Sequence, residues 1–140
     1  MGFGGKFAER ILAPAELERL PGEPAAFLAS RFAVKEAAVK ALGTGFRDGI
    51  SPCEIEVRSD SLGKPGLVFH GAALERLREI GAVRAHLSLS HGRESAVAIT
   101  IFTVLKSVSI TLSNFIRVSM ALFLLWVINS PVRMKFMKRF

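Results

Sequence analysis

RFAVKEAAVKALGTG, residues 31–45, decides how the rest of the chain folds. Apolar side chains recur at helical spacing through it and just upstream. Phe27, Leu28, Phe32, Val39 and Leu42 make one stripe, and Gly43 stands where a helix closes in the left-handed conformation. The spacing predicts a helix opened by Pro24 and running to about Leu42. Glu36 and Lys40 lie four apart on it, so they share a face. Glu ahead of Lys is the favoured order for a solvated ion pair. Yet Glu36 interrupts the apolar stripe, and a partly desolvated carboxylate needs a partner, either a cation or a metal. From this segment alone, both readings stand.

Working outward, residues 7–20 (FAERILAPAELERL) read as two short helices divided at Pro14. Residues 43–52 form a glycine-rich loop, and 54–58 (EIEVR) alternate as a strand. SDSLGKPG (59–66) turns the chain into a second short strand, LVFH (67–70). An amphipathic helix follows at 71–81. HLSLSH (86–91) and SAVAITIF (95–102) then form a hairpin. The body is α+β, with helices first and an antiparallel sheet after them.

Charge divides the 140 residues in two. All twelve acidic residues and all twelve glycines precede residue 95, whereas six of the nineteen basic residues follow residue 100. Residues 1–100 are therefore nearly neutral, and the basic excess belongs to the tail. That argues against a nucleic-acid-binding face on the body. A single cysteine, Cys53, excludes an internal disulfide and a cysteine-rich zinc site, and fits a reducing, cytoplasmic setting. The division predicts a domain over 1–100 and an apolar, basic extension over 101–140. Residues 107–130 read as an apolar helix, but Asn114 and Arg117 interrupt it and its mainly apolar run, 118–128, is short for a bilayer span. Three readings of this extension stay open: membrane contact through 107–139, an unselected addition, or a helix packed on the body or another subunit.

Two further clusters can carry chemistry. SLSHGRESA (88–96) places His91 where a strand turns, beside Ser88 and Ser90; the plain alternative is a loop histidine with no task. LGKPG (62–66) presents Lys64 on a rigid turn suited to a phosphate, though most such turns are only turns. It is not a P-loop, whose spacing it lacks.

In order, RFAVKEAAVKALGTG, GKPG and SLSHGRESAVA resemble the holo-acyl-carrier-protein synthase family, the small phosphopantetheinyl transferases, over about residues 7–100. The resemblance implies a 4′-phosphopantetheinyl transferase-like fold, helices packed on an antiparallel sheet, here with the C-terminal apolar helix added. It implies transfer of the 4′-phosphopantetheine arm of coenzyme A to a serine of apo-acyl carrier protein, releasing 3′,5′-ADP, a step in fatty acid biosynthesis. By the same resemblance Glu36 ligates Mg²⁺. Lys40 steadies the phosphate or assists proton transfer. His91, with Ser90 and Gly92, contacts the nucleotide phosphates, and Arg31, Lys64 and Pro65 line the coenzyme A site. Arg10 and Arg19 meet the acidic carrier protein, and small members form homotrimers with sites between subunits. Transfer of this kind rests on positioning and charge neutralisation, and a hard cation wants oxygen ligands.

The sequence departs from the family at both ends. The family opens on a strand whose aspartate is a second metal ligand, whereas no aspartate precedes Asp48 here. The expectation is a metal site with Glu36 as its one protein ligand and transfer much reduced. The competing expectation is a non-catalytic remnant with a membrane-associating tail.

Overall fold

The computed structural model describes residues 3–92, 95–104 and 117–126. The chain opens with two short helices, α1 (Phe3–Ile11) and α2 (Pro14–Leu17), then the long α3 (Ala25–Leu42). A 3-10 turn at Pro52–Glu54 leads into β1 (Ile55–Ser59) and β2 (Pro65–Phe69), and α4 (Gly71–Glu79) follows. β3 (Ala82–His91), β4 (Ser95–Val104) and β5 (Arg117–Trp126) complete the order.

Local chemistry sets these boundaries. Pro14 opens α2, where its missing N–H costs nothing. Gly43 closes α3 at φ 78°, donating to Lys40 O while Thr44 N reaches back to Val39 O. That is the paired closure only a left-handed residue allows without strain.

Two antiparallel ladders result, β1–β2 and β3–β4–β5. α3 lies across β4 through small side chains. Ala33, Val34 and Ala37 pack with Ala96 and Ala98, and alanine against alanine permits close approach of helix and sheet. Toward its C-terminal end α3 carries Ala38, Val39, Ala41 and Leu42 into a second cluster with Ile55, Phe69, Ala73 and Phe102. A third cluster ties α1 to α3 through Ala8, Ile11, Leu12, Leu28 and Phe32.

The hairpin read at 86–102 is present and longer at both ends. The α+β architecture therefore stands. The C-terminal apolar helix requires correction: residues 117–126 form β5, paired antiparallel with β4 in an unbroken register from Ser95↔Trp126 to Val104↔Arg117. Apolar and β-branched side chains suit a strand as well as a helix, and β4 presents an edge for pairing. The rest of the expected helix, residues 107–116 and 127–130, lies outside the described residues. β4 runs through residues 100 and 101, where the composition changes.

Candidate active site

The site is built from α3 outward. Glu36 Oε2 lies 3.9 Å from Lys40 Nζ, an ion pair rather than a hydrogen bond. The carboxylate side chain is only 17% exposed. Burial pushes the Glu36 carboxyl above its usual range, and Lys40 pulls it only part of the way back. This is the desolvated carboxylate the stripe suggested, still short of positive charge.

The stripe itself needs refining. Its fully buried charged member is Lys35, with no exposed surface. Lys35 Nζ donates to Glu16 Oε2 at 2.5 Å and to Ile11 O at 2.6 Å. Glu16 also accepts from Ala13 N at 2.8 Å and Val57 N at 3.1 Å, so one carboxylate joins α2, α3 and β1. Burial lowers the Lys35 pKa, with Glu16 opposing the shift. Sequence reading missed this pair. The signal was present, because Lys35 fills the gap between Phe32 and Val39 at three- and four-residue spacing.

Arg31, one turn earlier, faces the same carboxylate. Its Nε lies 3.5 Å from Glu16 Oε1, and its guanidinium carbon sits 4.5 Å above the centre of the Phe27 ring. Desolvation lowers the Arg31 pKa, Glu16 raises it and Arg19 lowers it further.

Ser90, His91 and Gly92 lie at the tip of the β3–β4 hairpin, which Gly92 N closes by donating to Ser95 O at 2.8 Å. Ser90 and His91 are exposed. His91 pairs with Ala96, and Ala96 packs in the cluster containing Ala33 and Ala37. Ala96, across from His91, thus shares a cluster with Ala37, the neighbour of Glu36 on α3.

Lys64 and Pro65 lie elsewhere. The Asp60–Lys64 turn is held by Asp60 Oδ1, which accepts from Leu62 N and Lys64 N, both at 2.9 Å. Lys64 and Pro65 border a cleft of roughly 400 Å³ between β2 and β3, with Arg58, Leu67, His86 and Leu87 on its walls. His86 precedes His91 by five residues on β3, about 16 Å along an extended strand. Glu36 and Lys40 lie on α3, Ser90–Gly92 at the β3–β4 tip, and Lys64 on the β1–β2 turn beside the cleft.

No group of three or more His, Cys, Asp or Glu side chains suited to a metal occurs among the described residues. Glu36 nevertheless fits a hard cation, since Mg²⁺ is held by one or two carboxylates with water and substrate phosphates completing its shell. A desolvated carboxylate whose nearest ammonium is 3.9 Å away has room for that charge.

Residues 2–100 match the 4′-phosphopantetheinyl transferase superfamily. The chain belongs to that superfamily. A holo-[acyl-carrier-protein] synthase of Nitratidesulfovibrio vulgaris strain DP4 is 59% identical over 100 residues, covering 71% of this chain and 81% of the relative. The crystal structure of the Neisseria meningitidis holo-[acyl-carrier-protein] synthase superposes with a TM-score of 0.65 at 43% identity, covering 71% of this chain and 82% of that one. That of the Bacillus anthracis synthase, in complex with CoA (3′,5′-ADP), gives 0.59 at 38% identity, covering 71% and 81%. Within the transferase superfamily the chain is thus of the holo-[acyl-carrier-protein] synthase type. No helix among the described residues is long and apolar enough to cross a membrane.

Proposed function

We propose that the chain transfers the 4′-phosphopantetheine group of coenzyme A to a serine of apo-acyl carrier protein, with residues 1–100 as the transferase unit, acting in the cytosol. The observation that carries this reading is the desolvated Glu36 carboxylate beside Lys40 in a chain 59% identical to a holo-[acyl-carrier-protein] synthase. In the transfer, the serine oxygen bonds to the β-phosphorus of coenzyme A. The phosphoanhydride bond breaks, 3′,5′-ADP leaves with the electron pair, and the serine proton is lost.

The side chains take roles that follow from their charge and placement. Glu36 would hold Mg²⁺, which neutralises charge on the pyrophosphate when bound. Lys40 brings a point charge to the same oxygens and stands in range to help the serine proton leave. Ser90, His91 and Gly92 line the approach of the nucleotide phosphates. Arg31, Lys64 and Pro65 receive the rest of the nucleotide, and Arg10 and Arg19 offer positive charge to the acidic carrier protein. The Lys64 turn sits beside His86, about 16 Å along β3 from His91, which supports sites shared between copies, as in a homotrimer. One carboxylate supplies few of the oxygens, so Mg²⁺ and coenzyme A assist each other's binding, and the Mg²⁺ needed for half-activity falls as coenzyme A rises.

The test is incubation of the purified chain with coenzyme A, apo-acyl carrier protein and Mg²⁺, followed by intact-mass analysis of the carrier protein. Gain of one phosphopantetheine group with release of 3′,5′-ADP is expected. An unmodified carrier protein at every Mg²⁺ concentration overturns the reading.

A further inference from the structure

Glu16 is buried, charged and outside the roles given above. Its carboxylate meets four groups from three parts of the chain: Lys35 Nζ and Arg31 Nε of α3, Ala13 N and Val57 N. Three of these contacts are hydrogen bonds of 2.5 to 3.1 Å. The fourth differs. Arg31 Nε stands 3.5 Å from Glu16 Oε1 and, although it is buried, has no hydrogen-bond partner among the described residues. A guanidinium carries five N–H donors in a fixed plane, so fixing one edge fixes the direction of the others. Here the inner edge faces Glu16, and the plane rests on Phe27.

We propose that Glu16 is a positioning residue for substrate binding: it holds Arg31 from behind and anchors α3 through Lys35, so that the free edge of the Arg31 guanidinium is set to receive a phosphate of the nucleotide. This deepens the coenzyme A reading and rests on it. Arg31 and Lys35 both pull on one carboxylate, and Glu16 is itself tied to α2 and β1 backbone. Neither cation can shift without disturbing the other. A rigid arginine binds a phosphate with less ordering than a mobile one, so the effect belongs in substrate affinity rather than in the chemical step.

The variant is Glu16→Gln, which keeps the shape and removes the charge. Its activity is measured well below its own melting temperature against the full-length chain. The expected result is a KM for coenzyme A raised about tenfold, the scale of one charge-assisted hydrogen bond, with kcat within about twofold. A purely structural role predicts the opposite split, a lower active fraction with KM unchanged, and that result overturns the inference. Arg31→Lys keeps a charge and loses the plane. If Glu16 acts through Arg31, the double variant raises KM no further than the worse single one, whereas additive effects overturn the inference. Should Glu16→Gln fail to fold, Glu16→Asp takes its place: the shorter carboxylate should raise KM in the same way, and an unchanged KM counts against the inference. A wild-type chain that neither binds coenzyme A nor transfers its arm overturns the parent reading and this one with it. A working wild type with an unaltered Glu16→Gln overturns this one alone.

Discussion

Glu56 Oε2 lies 3.1 Å from His70 Nε2, joining β1 to the residue that opens α4, while Arg58 Nε meets Glu56 Oε1 at 3.0 Å. The carboxylate is buried, and burial alone would raise its pKa. The hydrogen bonds from His70 and Arg58 outweigh that and hold it below the usual carboxylate value. A depressed folded pKa adds stability above the unfolded value of 4.5, and the gain is lost as pH falls through the folded value. Glu56→Gln should therefore be less stable than the wild type at pH 7, by roughly 0.5–1 kcal/mol given its half-exposed partners. The gap should close in acid below 4.5. Paired thermal melts across that range check it, and a gap that persists unchanged to pH 2 would refute the assignment.

Glu36 behaves in the reverse sense. Its folded pKa is raised by burial, so the folded state binds the proton more tightly and stability falls as pH climbs above the unfolded carboxylate value of 4.5. Glu36→Gln should leave the metal-free protein as stable or more stable at pH 7. Transfer should drop by at least about a hundredfold if the carboxylate holds the cation. Calorimetry and the carrier-protein assay on one preparation measure both. A variant that is less stable and still active would reverse both roles.

Thr100 is wholly buried on the face of β4 that meets α3, and its hydroxyl has no hydrogen-bond partner among the described residues. Replacing a buried, unpaired hydroxyl by a methyl of similar shape removes a desolvation cost. Thr100→Val is expected to stabilise by about 1 kcal/mol in denaturant unfolding. A loss of stability would reveal a partner for the hydroxyl.

At Gly71 the backbone adopts φ 48°, and a β-carbon there would collide with the Glu54 carboxylate. That carboxylate accepts from Ala72 N at 3.1 Å and so satisfies one of the open amides at the start of α4. Gly71→Ala combines an unfavourable backbone with displacement of this cap, and a cost of about 2–3 kcal/mol is expected in urea unfolding. A cost under about 0.5 kcal/mol would show that Glu54 swings aside freely.

Much of this architecture was legible in the sequence because it rests on local chemistry. Gly43 marked the end of α3, Pro14 divided α1 from α2, and strict alternation through HLSLSH fixed the β3–β4 hairpin. Glu36 and Lys40 were legible because a helix places fourth neighbours together. Three things were not. Lys35 has the composition of a surface residue, and only burial among distant segments shows that Glu16 is its partner. The gap between the Lys64 turn and the hairpin tip depends on where β2 lies along β3, which no local pattern reports. Residues 117–126 carry an apolar run that helices and strands share, and pairing with β4, set by tertiary contact, decided between them.

Among the described residues the two ladders are not hydrogen-bonded to each other. β2 and β3 therefore turn unpaired backbone edges toward the cleft that separates them. Amide protons on those edges lack the protection that rungs give elsewhere, so they should exchange with solvent sooner than those of β4. A molecule seated in the cleft would slow precisely those amides, and hydrogen exchange would then trace its footprint residue by residue without any catalytic turnover.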